Sequence, residues 1–173
     1  MTSVVRFVLR LVWPSLASVA ALALPVVQAS ASLCWNWNYS GNDIAANGTF
    51  VTNDTPDTLG FYRITSITGT RNGETIVGLQ PAGTAIPGNE PYAVDNLVRL
   101  NEPQLTHSGV GYAMSGGTYA NPFFADSSNP PRYLEFFSAP PLTVGAVAKD
   151  SELPVAFAAK PRTVAESDVA RCS

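Results

Sequence analysis

Residues 61–80 read FYRITSITGT-RNGE-TIVGLQ. Two runs rich in β-branched residues flank Asn72-Gly73, and such residues pack well on a pleated surface. Asn-Gly supplies the two positive-φ positions of a type I′ turn, whose twist matches the strands it joins. Arg71 and Glu74 stand opposite each other across that turn with opposite charge. The stretch therefore predicts a β-hairpin of Phe61–Thr70 and Thr75–Gln80. Ile64 and Ile67 fall at odd spacing in its first strand, which calls for a bulge between them or for cover on both faces.

On the N-terminal side, Trp35-Asn36-Trp37-Asn38-Tyr39 alternates aromatic and polar residues, the pattern of a strand with one aromatic face. Ala45–Thr52 resumes β character after a turn at Gly41-Asn42-Asp43, and Gly48 marks a bulge or a close backbone approach. Downstream, Pro81–Pro91 is a Pro/Gly loop, and Tyr92–Leu100, Val110–Met114, Thr118–Phe124 and Arg132–Ser138 read as further strands. Short strands at this spacing, punctuated by Gly and Pro, predict one all-β domain over 32–138. Its expected form is an antiparallel β-sandwich or open barrel of about seven or eight strands. Residues 139–173 shift to Ala, Val and Pro and read as a less ordered tail. Within it Thr163-Val164-Ala165-Glu166 has the capping-box pattern of a short helix over 163–171.

Residues 1–31 have the pattern of a signal peptide. Arg6 and Arg10 precede an apolar run from Leu11 to Leu24, then Pro25 and an Ala29-Ser30-Ala31 cleavage site. Cleavage after Ala31, or after Ala29, leaves a chain destined for the periplasm or the extracellular space, with no second hydrophobic span. The sequence has 10 Lys and Arg against 13 Asp and Glu, and two of the basic residues leave with the leader. An acidic, Lys-poor surface argues against nucleic acid and anionic membranes as partners. Cys34 and Cys172 can form a disulfide in an oxidising compartment; intermolecular pairing and two free thiols are the alternatives.

The chain resembles a group of exported, β-rich bacterial proteins, many of which carry a C-terminal PEP-CTERM sorting signal. The resemblance runs over Trp35–Ser138. It is carried by Trp37-Asn38-Tyr39-Ser40, Gly48-Thr49-Phe50, Gly60-Phe61-Tyr62, Ile67–Gly73, Gly78-Leu79-Gln80-Pro81, Asp95-Asn96 and Gly111-Tyr112. It implies export and carries no assigned activity. The sorting signal itself is not seen, since the sequence closes on Arg171-Cys172-Ser173.

No catalytic motif stands out. The one histidine, His107, adjoins Ser108, but neighbours on a strand point apart, and no nucleophile elbow is present. The plain reading of His107 is a solvated loop residue. Asn53, Asp54 and Asp57 crowd one loop, an oxygen-rich arrangement that makes calcium the one candidate cofactor, with Asx turn-capping as the plainer reading. Trp35, Trp37 and Tyr39 are the candidate ligand-binding face, because planar aromatics stack on sugar rings; the competing reading makes them core. Glu135, between Leu134 and Phe136, reads as an outward residue on a half-buried strand. These features favour a non-catalytic exported protein, either a part of the cell surface or extracellular matrix or a binder of its polysaccharide. The alternatives are a glycan hydrolase using two carboxylates and a self-assembling structural subunit.

Overall fold

The computed structural model describes residues 32–140, 152–162 and 172. The expected leader at 1–31 and helix at 163–171 lie outside the described residues. The described residues form nine strands: β1 Ser32–Gly41, β2 Ile44–Asn53, β3 Phe61–Arg71, β4 Glu74–Leu79, β5 Leu97–Arg99, β6 Tyr112–Met114, β7 Tyr119–Ala125, β8 Arg132–Ser138 and β9 Leu153–Pro161. Hydrogen bonding runs β2-β1-β9-β8-β7-β6-β4-β3, and β2 pairs again with β3. That last pairing closes the sheet, so eight antiparallel strands form a closed barrel and β5 adds to β3 as a ninth strand outside the ring. The fold is all-β as the pattern predicts, and closure decides between sandwich and barrel: no strand of the ring is left with a free edge.

The β3–β4 hairpin forms as expected. Asn72 and Gly73 take φ of 48° and 82°, and Arg71 pairs with Glu74 in register. The expected bulge is there too. Val51 pairs with Ser66 and Thr52 with Ile64, which skips Thr65 and lets both Ile64 and Ile67 reach the core. Gly48 faces Gly69 across β2 and β3, where a Cβ on Gly48 would run into the Thr68 carbonyl. The missing side chains let the two strands close up at this point. Next to it the Thr49 and Thr68 hydroxyls bond at 2.7 Å.

Two expectations need correcting, and one choice left open is settled. The tail assigned to 139–173 contains β9, which pairs with β1 over seven residues and with β8 at its start. Val155, Phe157 and Ala159 point inward while Pro154, Ala156 and Lys160 point out, a period-2 strand with a single aromatic residue. Tyr92–Leu100 yields only the three residues of β5, because Asn96 adopts φ 54° and turns the chain. Its buried amide donates to the Gln80 carbonyl and accepts from the Gly111 N–H, so the side chain does what a ladder would have done. The disulfide, one of three options from sequence, is formed: Cys34 and Cys172 are bonded with Cα atoms 5.9 Å apart, tying the C-terminal end to β1.

Residues 80–111 leave the ring between β4 and β6. One arm lies over the outside of β7 and β8, where Ile86, Val94 and Phe136 form a small second core. The other arm sends Val98 and Leu105 into the main core. Gln104 then pairs like a strand residue with Ala159, donating to its carbonyl at 2.7 Å and accepting from its N–H at 2.8 Å. It thereby fills the seam that opens where β8 and β9 part.

Candidate functional site

Trp35, Trp37 and Tyr39 are 0, 2 and 1 % exposed. The exposed-platform reading is therefore corrected: closing the sheet turns this face into the barrel interior, with Asn36, Asn38 and Ser40 outside. Polar-out, apolar-in alternation is the reverse of that in a membrane-spanning barrel. Trp37 stacks on Phe50 at 5.2 Å and on Tyr39 at 5.9 Å, and the Trp35 indole donates to the Thr52 hydroxyl at 3.0 Å. Among the described residues no helix is long and apolar enough to cross a membrane.

Glu135 also lies inside, fully buried, contrary to the outward reading. Tyr133, Glu135 and Phe137 form the inner row of β8, while Phe136 packs beneath the excursion. Both faces of this strand are covered, so its apolar residues do not mark which way is in. Arg71 reaches Glu135 at 2.5 Å and lays its guanidinium 4.2 Å from the centre of the Phe137 ring. Its hairpin neighbour Glu74 instead accepts from the Gly116 N–H and the Thr118 hydroxyl.

Position on the ring gives this ion pair its meaning. From β3 to β8 the path is four steps either way, through β4, β6 and β7 or through β2, β1 and β9. Arg71–Glu135 thus crosses the full lumen. The Tyr39 and Tyr112 hydroxyls, on β1 and β6, bond to each other and are also four steps apart in both directions. Two ties between opposite walls brace one level of the barrel and block it. Burial pushes the Glu135 carboxyl above the usual range, against the hydrogen bond and charge of Arg71. Burial opposes the charge on Arg71, but the bond and charge of Glu135 outweigh it and raise its affinity for the proton. Both tyrosines are held protonated, chiefly by burial. Glu135 Oε2 and Trp37 Nε1 have no hydrogen-bond partner among the described residues.

The loop residues proposed for calcium are engaged in turns. Asp57 Oδ1 accepts from the N–H groups of Leu59 and Phe61, both at 2.9 Å. Asn53 Oδ1 accepts from Arg63 N–H at 2.6 Å, and Asp54 accepts from the Thr55 hydroxyl at 3.1 Å. Among the described residues no cluster of three His, Cys, Asp or Glu side chains is spaced to hold a metal ion. His107 and Ser108 lie in the excursion, where the Ser108 carbonyl accepts from Asn121 Nδ2 at 3.1 Å.

A groove of about 490 Å³ opens on the outer wall where the excursion meets β7 and β8. Tyr92 and His107 contribute from the excursion, Phe123 and Asp126 from β7 and its turn, and Glu152 from the approach to β9. Asn121 anchors the floor: its amide donates to the Ser108 and Val110 carbonyls and its oxygen accepts from Asn89 at 3.3 Å. The Tyr92 side chain is 70 % exposed. Sequence reasoning missed Tyr92 because it read as part of a strand. It missed Arg71 and Tyr112 because only closure brings β3 to β8 and β1 to β6. No protein-family model, curated protein or solved structure matches the chain.

Proposed function

We propose that this chain is an exported, non-catalytic barrel of the cell surface or extracellular matrix, acting by binding a polysaccharide. The observation that carries the reading is the filled interior. Among the described residues the one fully buried carboxylate, Glu135, is bonded to Arg71 inside the barrel, and the groove with its exposed aromatic lies on the outer wall. The barrel is rigid in a way that suits presentation of a surface: closed, cross-tied and stapled at its ends by a buried disulfide. That disulfide supports export, because buried disulfides persist in oxidising compartments. It also occupies both cysteines within one chain, which removes disulfide-linked assembly as a route to a structural polymer.

The test joins three readouts on protein expressed from the full-length gene. Fractionation should find it outside the cytoplasm, with residue 32 or 30 at its N-terminus. A thermal-shift panel of soluble polysaccharides should give a rise of a few degrees for one class at about 100 times Kd. The same samples should release no new reducing ends. Cytoplasmic retention would remove the export half of the proposal. Steady release of reducing ends would replace binding with hydrolysis.

A further inference from the structure

We infer that the outer-wall groove is the binding site and that its ligand is a neutral sugar chain, with Tyr92 as the stacking platform. This rests on the polysaccharide-binding reading above and deepens it to a site and a chemical class. The groove's volume falls in the range of small-ligand sites, roughly 300–1,000 Å³. Its lining combines what a pyranose needs: an aromatic face for the C–H surface of the ring, and donors and acceptors at its edge for the hydroxyls. Tyr92 supplies the first; Asn89, His107 and Asp126 supply the second.

Charge narrows the class. Among the described lining residues Asp126 and Glu152 are carboxylates and none is a Lys or Arg. An acidic sugar, phosphate or sulfate would meet carboxylates without a compensating cation, so a neutral chain fits and an anionic one does not. Among the described residues the other large exposed apolar residues are Leu59, Val77, Leu100 and Leu153, all aliphatic, so Tyr92 is the most exposed aromatic of the groove, beside the half-buried Phe123 and Phe124.

The turn beneath the platform is preorganised. Tyr92 N–H donates to the Asn89 carbonyl at 2.9 Å, and Gly88 N–H donates to Glu90 Oε2 at 3.0 Å, fixing the turn that carries the ring. The neighbouring Val94 and Ile86 anchor that turn in the second core. Little ordering is then left for the ligand to bring about, which favours affinity.

The experiment is calorimetric titration of the exported protein with cello-, xylo-, malto- and chito-hexaose, and with oligogalacturonate as the acidic arm. One neutral series should bind and oligogalacturonate should not. Tyr92→Ala should weaken binding roughly 10-fold while Tyr92→Phe keeps most of it, as loss of a stacking face predicts. Asp126→Asn should weaken it less, and Val77→Ala, outside the groove, should change nothing. If a glycan binds equally to wild type and to Tyr92→Ala, the groove is the wrong site while polysaccharide binding stands. Preference for oligogalacturonate overturns the neutral class. Failure of every sugar to bind wild type overturns the polysaccharide reading itself, and the groove assignment with it.

Discussion

Replacing Arg71 by Met and Glu135 by Gln should have unequal costs, and the inequality follows from where each group sits. Arg71→Met leaves a carboxylate with no exposed surface facing an apolar stem, and breaking a buried pair from one side costs about 3–5 kcal/mol. Glu135→Gln leaves a guanidinium whose side chain is already 11 % exposed and which can still donate to the amide oxygen, so the loss should be nearer 1–2 kcal/mol. The double variant should regain most of the difference, because neither charge is then stranded. Acidity separates this from a packing effect. Burial holds the folded Glu135 carboxyl above its unfolded value, so its contribution to stability is fully present below the unfolded pKa and is lost as pH rises through the folded one. Removing Arg71 takes away the larger of the causes that oppose this shift and leaves only that of the Tyr39 hydroxyl. The deficit of Arg71→Met should therefore shrink between pH 7 and pH 5 by up to about 2.7 kcal/mol, at about 1.4 kcal/mol per unit. Urea denaturation at both pH values, with unchanged m-values, measures it. Equal losses in the two single variants, or a pH-independent deficit in Arg71→Met, would refute the assignment of Glu135 as the stranded charge.

Three further outcomes follow from the same coordinates. Tyr39, Tyr112 and Tyr133 are held protonated chiefly by burial, so their stabilising effect is present below about pH 10 and lost above it at up to about 4 kcal/mol per unit for the three; urea denaturation from pH 9 to 11 should show this slope, and Tyr112→Phe should reduce it by about a third. Cys172→Ser opens a loop of 138 residues and should lower stability by up to about 5 kcal/mol in the chain-entropy account, read as a lower urea midpoint. Gly48→Ala would force β2 from β3 at the Thr68 carbonyl and should cost about 2–4 kcal/mol, whereas Gly78→Ala, with nothing within 4 Å of the new Cβ, should be nearly neutral in the same thermal melts.

How much of this was legible in the sequence depended on how local the determining interaction is. The β3–β4 hairpin and the Thr65 bulge were readable because turn chemistry and residue parity act over a few residues. The alternation of Trp35, Trp37 and Tyr39 showed a strand with one aromatic face, but whether that face looked in or out depended on a partner wall no local pattern describes. Glu135 was misjudged for a related reason. The excursion covers the outside of β8, so Leu134 and Phe136 are as apolar as the inner row and the parity signal is lost. The groove was invisible because Tyr92 and Asp126 meet only once residues 80–111 fold back over β7 and β8.

Closure itself turned on the weakest signal in the chain. A meander from β1 to β8 without β9 would leave the outer edges of β1 and β8 bare, the open barrel that the pattern up to residue 138 predicts. Strand β9 joins those edges, and its inward positions are Val155, Phe157 and Ala159. Val155 and Ala159 are small because Phe157 between them already fills the space beside its flanking strands, 6.4 Å from the Tyr39 ring on β1 and 5.6 Å from the Tyr133 ring on β8. The low aromatic content that made this segment look like a tail is what the last strand into a filled barrel requires, since larger side chains there would overpack a core set by Trp35, Trp37 and Tyr39. The Ala-rich composition and the cross-tied lumen are thus two consequences of one constraint, an eight-stranded ring just wide enough for its own side chains.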